Sequence, residues 1–472
     1  MKTIFFRALL IGIFFTNIGW AQNASIKSKN IREDLPPESY VTPINWERFD
    51  ISNNPENTDA IRSRDLLLNA VKYGLIWVNT LPVSPNELYD FMGTGEQHIR
   101  PPASLAVGLA TALRTGIYNT ETTGVPEQEA IQRTCKLIES IAYKHISNSA
   151  NGWGNSWQSA LWAALAGQAA FMMWEDLDQE AQTRIARMIT HEANRFNHYI
   201  VPYYRDKKGD IQFSGDSKGE ENSWNAMILQ VAIAMMPEHP NIALWKRKCV
   251  ELMISAYACP SDINNKEMID GNPVADWLNG SNLEENGTLI NHGLIHNDYM
   301  CTVEQNIRSC LLFSLGNVNI PESAYFNADK IYNAFVNLEF EAPPYEQPGG
   351  TMYIKNSPEQ YYPNGTDWSR YRYDIYYTID AFARILSFDN LSGENASSWE
   401  ELRAVRLLNM QNRHSDGRIY ATGEWDNYSG KEQLAAWQFG DAYLLNWLVA
   451  QGELSPVASW NINIPELKIV NN

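Results

Sequence analysis

Cysteine is scarce in this 472-residue chain, at five residues, and none of the five sits in a paired metal-binding spacing. That excludes a zinc ribbon and a scaffold stapled by many disulfides. Cys135, Cys249, Cys259, Cys301 and Cys310 fall mostly in helical patterns, which predicts buried free thiols, with one disulfide left open. Positive charge is also short. Thirty-seven Lys and Arg face 55 Asp and Glu, a formal charge of −18. Such an acidic surface repels a phosphate backbone, so nucleic acid is not an expected partner, nor is an anionic membrane surface. A few local cations can still dominate one cleft, so an anionic substrate stays open. There is no Walker loop, no dinucleotide glycine fingerprint and no Gly-x-Ser-x-Gly elbow. Residues 262–272 are rich in Asp and Asn but lack the register of a calcium loop. No cofactor and no metal are expected.

Long apolar runs are absent after the N-terminus, which predicts no membrane insertion. The run from Ala8 to Ile18 follows Lys2 and Arg7 and precedes Gly19-Trp20-Ala21. Residues 1–21 therefore read as a signal peptide cleaved after Ala21, and the mature chain as periplasmic or secreted. Losing Lys2 and Arg7 takes the charge from −18 to −20.

Apolar and aromatic residues are abundant. Hydrophobic residues make up 44% of the chain, and 16 Trp and 23 Tyr contribute to an aromatic share of 12%. Flat rings with a polar edge suit the faces of sugars, although a large Trp-rich core gives the same count. Apolar residues recur at helical spacing over twelve segments of alternating character. Segments 61–80, 127–148, 178–198, 241–257, 325–338 and 397–410 are amphipathic and charged. Segments 101–116, 155–174, 220–236, 299–315, 371–387 and 431–450 are apolar on nearly all faces or rich in small residues. A helix apolar all round must be enclosed by others. Six enclosed helices inside six half-exposed ones predict an all-α fold, an (α/α)6 toroid over residues 59–452. An extended arm (22–58) precedes it and a short tail (453–472) follows. An α-solenoid is the rival, but no repeat period is visible.

The connections into the enclosed helices are long and polar, and long loops in a compact domain are usually functional. One carries Asp216-Ser217-Lys218-Gly219-Glu220-Glu221-Asn222-Ser223-Trp224-Asn225. Asp216 or Ser217 can cap the helix, and Glu220 and Glu221 can serve its dipole. The same carboxylates, aimed into a cleft, can act as acid and base. Another carries Asn291-His292-Gly293-Leu294-Ile295-His296-Asn297-Asp298-Tyr299, with Asp298 as a possible helix cap. His-x3-His suits zinc on a helix face, but Gly293 and the lack of a third ligand argue against it. The remaining readings are a satisfied histidine pair or a catalytic and substrate-binding one. Trp153, Trp157, Trp368, Tyr373 and Trp425 are candidate sugar platforms, and Glu424 is a further carboxylate. Arg370 and Arg372 are candidates to grip a substrate carboxylate.

The leader, the six helical hairpins and the Asp-Ser-Lys-Gly-Glu-Glu-Asn-Ser-Trp-Asn and Asn-His-Gly-x-x-His-x-Asp-Tyr stretches resemble exported bacterial toroid enzymes of glycan breakdown. The resemblance spans most of residues 60–450. It is closest to the β-glucuronidase-like glycoside hydrolase family 154, and it implies an oligo- or polysaccharide substrate bearing uronic acid. Toroid lyases share the fold, and fold does not fix reaction type. Hydrolysis needs two carboxylates, one from Asp216, Glu220 or Glu221 and the other from Asp298 or Glu424. Elimination needs Asn or His to neutralise a uronate and Tyr or His to take the proton. Asn291, His292, His296 and Tyr299 are of those types. A non-catalytic glycan-binding protein needs the aromatics alone.

Overall fold

The computed structural model describes residues 35–424 and 429–464. The proposed leader, Trp425 and the last eight residues of the tail lie outside them. The regular structure of the described residues is helical apart from four two-residue antiparallel pairs and a few isolated bridges. No helix among them is long and apolar enough to cross a membrane.

Two short 3-10 turns, Pro37–Tyr40 and Trp46–Arg48, lead into the first helix. The half-exposed helices are α1 (Thr58–Val78), α3 (Glu127–Tyr143), α5 (Gln179–Asn194), α7 (Ile242–Ala256), α11 (Ala328–Asn337) and α13 (Ser397–Gln411). The enclosed ones are α2 (Glu96–Arg114), α4 (Ser159–Met172), α6 (Gly219–Met235), α12 (Tyr373–Leu386) and α14 (Lys431–Gln451). In α5 the buried residues Ala181, Ile185, Met188, Ile189 and Glu192 follow helical spacing, and Asp178 caps the helix by accepting from the Ala181 N–H (2.8 Å). In α4 every residue is buried.

The enclosed helix expected over 299–315 is broken. It runs as α8 (Asn297–Met300), α9 (Glu304–Ile307) and α10 (Ser309–Leu315), with a 3-10 turn at Cys301–Val303. Thr302 Oγ1 donates back to the Tyr299 carbonyl (2.5 Å), a side-chain bond that competes with the regular ladder. Helix α2 starts five residues before the expected position 101 and carries Pro101 and Pro102 inside it. Pro101 has no N–H for the Gln97 carbonyl. The Ser429 hydroxyl donates to that carbonyl instead (3.3 Å).

Contacts among the enclosed helices run α2 to α4, α4 to α6, α6 to α9 and α10, α9 to α12, α12 to α14, and α14 back to α2. The last step is close because Gly108 faces Ala436. A Cβ on Gly108 would lie 2.6 Å from the Ala436 carbonyl oxygen. The tail touches the helical body where Val457 bridges Ile320 and Ile462 N–H donates to the Asp270 carbonyl (2.9 Å). All five cysteines are free thiols, and four of them are buried.

Candidate functional site

Three loops far apart in sequence are locked together at the start of α6 and α8. Residues 290–291 and 294–295 pair antiparallel, so the histidine motif opens as a tight hairpin, not as a helix. His292 at its tip has φ 51° and Gly293 has φ 77°. The left-handed region is uncommon outside Gly, and His is among the side chains that enter it most readily. The hairpin binds the loop before α6: Gly293 N–H donates to the Gly215 carbonyl (2.9 Å), and Ser217 N–H to the Ile290 carbonyl (2.8 Å). It also binds the loop before α12. Asn364 Oδ1 accepts from the Ile295 N–H (3.0 Å), and Asn297 Nδ2 donates to the Tyr361 carbonyl (2.8 Å).

Glu220 lies in the first turn of α6 and is 3% exposed. Asn291 Nδ2 donates to its Oε1 (2.8 Å), while its Oε2 has no hydrogen-bond partner among the described residues. Burial, with Glu221 and Asp216 nearby, pushes its pKa up to about 8, against the pull of its hydrogen bonds. Asp216 and Glu221 are committed elsewhere. Lys218 Nζ bonds to both, at 2.6 and 2.9 Å. Neither Asp216 nor Ser217 is the residue that flanks the helix. Lys218 holds that place, and Ser217 Oγ accepts from the Gly219 N–H (3.1 Å).

Asp367 joins the two histidines. Its Oδ2 is 2.7 Å from His292 Nδ1 and its Oδ1 is 3.1 Å from His296 Nε2. The opposite nitrogen of His292 is 3.3 Å from the Tyr299 hydroxyl. Burial would raise Asp367, but the two imidazoles outweigh it and hold its carboxyl below the ordinary range. Burial lowers His296, and burial with Glu220 nearby raises the Tyr299 hydroxyl. Trp368 packs on Tyr299 at 4.7 Å and on His296 at 4.9 Å.

Beside these groups lies a cavity of about 310 Å3. That is at the lower end of small-ligand sites, roughly 300–1,000 Å3. Trp157, Trp224, Trp368 and Trp437 line it, with Tyr299. Trp157 is 59% exposed and meets Trp224 edge to face at 4.9 Å. The Trp224 indole N–H is buried without a hydrogen-bond partner among the described residues. Two guanidinium groups, Arg100 and Arg372, line the same cavity. Arg372 stacks over Trp368 at 4.3 Å and lies 3.8 Å from Asp298. Burial, and Arg372 nearby, lower Arg100 to about 10 against the pull of Glu96, its ion-pair partner at 2.5 Å. Asp298 is not the helix cap that its position suggests. His296 flanks α8, and Asp298 Oδ1 accepts from the hydroxyls of Tyr376 (2.7 Å) and Tyr362 (3.2 Å).

No family model, curated protein or solved structure matches this chain.

The site's geometry sorts the sequence candidates. Trp157, Trp224, Asp298, Tyr299, Trp368 and Arg372 line the cavity, and His292 and His296 adjoin it through Tyr299. Glu220 and its partner Asn291 do not line it; Glu220 starts the turn of α6 that carries Trp224 and acts on the Tyr299 hydroxyl electrostatically. Others are held elsewhere. Trp153 is buried and donates its indole N–H to the Ile141 carbonyl (2.9 Å). Asn222 donates to Pro202 and Ser255, and Tyr373 to Glu359 (2.7 Å). Arg370 is exposed over the Tyr362 ring. Glu424 is clasped by Arg413 at 2.5 and 2.7 Å, which holds its pKa down at about 2.

Seven polar lining residues carry no sequence expectation: Glu96, Arg100, Gln158, Thr302, Glu304, Gln305 and Gln438. Glu304 is buried, accepts from Gln438 Nε2 (3.0 Å) and keeps one oxygen without a hydrogen-bond partner among the described residues. A carboxylate inside an enclosed helical segment was the available signal for it.

Proposed function

We propose that this chain is a glycoside hydrolase of uronic-acid-bearing glycans, built as an (α/α)6 toroid. The closed cycle of contacts, in which α14 returns to α2, favours a toroid over an open solenoid. Supporting an anionic sugar substrate, two guanidinium groups share one cavity with four tryptophans, in a chain that is otherwise short of positive charge.

The observation that carries hydrolysis is Glu220. A carboxyl with a pKa of about 8 is protonated at neutral pH and can hand a proton to a leaving oxygen. Its Oε2 has no hydrogen-bond partner among the described residues, so no other contact competes for that role. In this reading Asp298 is the second carboxylate, acting on the anomeric carbon directly or through water. Arg372 and Arg100 hold the uronate, and Trp157 and Trp224 carry the sugar faces.

A second reading is favoured by one specific arrangement. With Nδ1–H of His292 donated to Asp367, Nε2 can accept the Tyr299 proton, the relay that a β-eliminating lyase needs. The two reactions leave different products. The test incubates the purified chain with uronate glycans and with an aryl β-glucuronide. Free aglycone or new reducing ends, without absorbance from a conjugated enoate, are expected. Enoate absorbance establishes the lyase instead, and tight glycan binding with neither product overturns both.

A further inference from the structure

We propose that His292, His296 and Asp367 form a binding site for one divalent transition-metal ion of the zinc type. This goes beyond the hydrolase reading, in which Glu220 needs no ion. On sequence, Gly293 in a helix and the lack of a third ligand weigh against zinc; the motif is instead a hairpin that suits Gly293 at φ 77°, and a third ligand is at hand. The loop before α12 supplies it: Asp367 reaches His292 Nδ1 at 2.7 Å and His296 Nε2 at 3.1 Å. One ligand atom from each of the three residues falls within 4.8 Å of the others. Ligands bonded to one zinc ion at about 2.0–2.2 Å sit roughly 3–3.5 Å from each other, so small side-chain movements bring the three donors onto an ion.

Donor chemistry and access agree with that class. Two imidazole nitrogens and one carboxylate oxygen suit zinc and its neighbours in the first transition row better than calcium or magnesium. Three protein ligands leave a fourth position open. His292 and Asp367 are 41% and 47% exposed at their side chains, so an ion can enter from solvent. The ligands are also held in place. His296 is wedged between Tyr299 (4.6 Å) and Trp368 (4.9 Å), and the left-handed backbone at His292 turns its ring toward Asp367. With Nδ1 on the ion, His292 keeps Nε2–H to donate to the Tyr299 hydroxyl, the outer contact that ligating histidines usually have.

A second cluster, His145, His191 and Glu192, has the same residue types within the same span. It does not compete. Glu192 already carries the Arg195 guanidinium, the Ser159 hydroxyl (2.8 Å) and the Asn155 N–H (3.0 Å), and its side chain is wholly buried. A third cluster, Asp216, Glu220 and Glu221, already holds the Lys218 ammonium on two of its carboxylates. Among the described residues a single ion site is therefore assigned. The ion takes the lone pair that a His292 relay would need, so an ion-loaded protein cannot run that relay.

The experiment strips the full-length chain with a chelator and titrates it with Zn2+ against a chromophoric competitor. One Zn2+ per chain is expected. Asp367→Ala and His292→Asn, which keeps a residue tolerant of the left-handed backbone, should each weaken binding by about tenfold or more. His191→Ala should bind as the wild type does. Absence of stoichiometric Zn2+, unchanged affinity in both ligand variants, loss of binding in His191→Ala, or equal competition by Ca2+ would each overturn the site. Because hydrolysis by Glu220 needs no ion, any of these results leaves the hydrolase reading standing.

Discussion

Glu192 and Glu220 are two buried glutamates in similar settings, each near a histidine pair and the start of an enclosed helix, and they are held in opposite charge states. Burial pushes both up. At Glu192 it is outweighed by His145, Arg195 and the Asn155 N–H, and the carboxyl sits at about 2. At Glu220 a single Asn291 amide is the side-chain donor, acidic neighbours add to the burial, and the carboxyl sits at about 8. Partner supply, not depth, separates a structural carboxylate from a reactive one.

Glu220→Gln should break the comparison most sharply. Losing the proton donor should lower hydrolysis by about 10²–10⁴-fold, with an unfolding transition close to wild type. Steady-state kinetics beside thermal unfolding will read both. Glu192→Ala should do the reverse. It leaves Arg195 and His145 without their carboxylate and should lose about 3–5 kcal/mol in denaturant unfolding, while the folded fraction keeps its turnover. Normal stability with lost turnover in Glu192→Ala would erase the distinction.

The pH dependence of stability should differ in sign between the two. Glu192 binds its proton more weakly folded than unfolded, so its contribution is present above the ordinary 4.5 and lost as pH falls toward about 2. Glu220 binds its proton more tightly when folded, so stability from its neutral form is present below 4.5 and lost as pH rises toward about 8. Melting curves of wild type, Glu192→Gln and Glu220→Gln across that range separate the two limbs. The smallest effect is at the exposed platform. Trp157→Ala should raise KM by several-fold, from the loss of about 1 kcal/mol of ring contact, with kcat nearly unchanged.

Helical periodicity and the alternation of charged and apolar faces are local properties, so the sequence revealed where eleven of the twelve helical segments lie. The break at Cys301–Val303 was hidden because Thr302 competes with the ladder through one side-chain bond. The early start of α2 was hidden because Pro101 reads as a boundary until Ser429 is seen to serve the Gln97 carbonyl. Site residues split in the same way. Glu220, His292 and Tyr299 stand out as polar groups beside apolar helices. Asp367 gains a role only when the loop before α12 folds onto the hairpin, and Arg100 only when α2 meets the cavity. Trp153 and Glu424 matched in residue type, but their partners, Ile141 and Arg413, lie outside the cavity lining.

The most direct test of Glu220 as proton donor is the pH profile of kcat/KM on phenyl β-glucuronide, whose leaving group is poor enough to need protonation. Phenol should be released, with a rate that falls as pH rises through about 8, and Glu220→Gln should lose both the rate and that limb. A wild-type rate that stays level through pH 8, or phenol release that persists in Glu220→Gln, would contradict it.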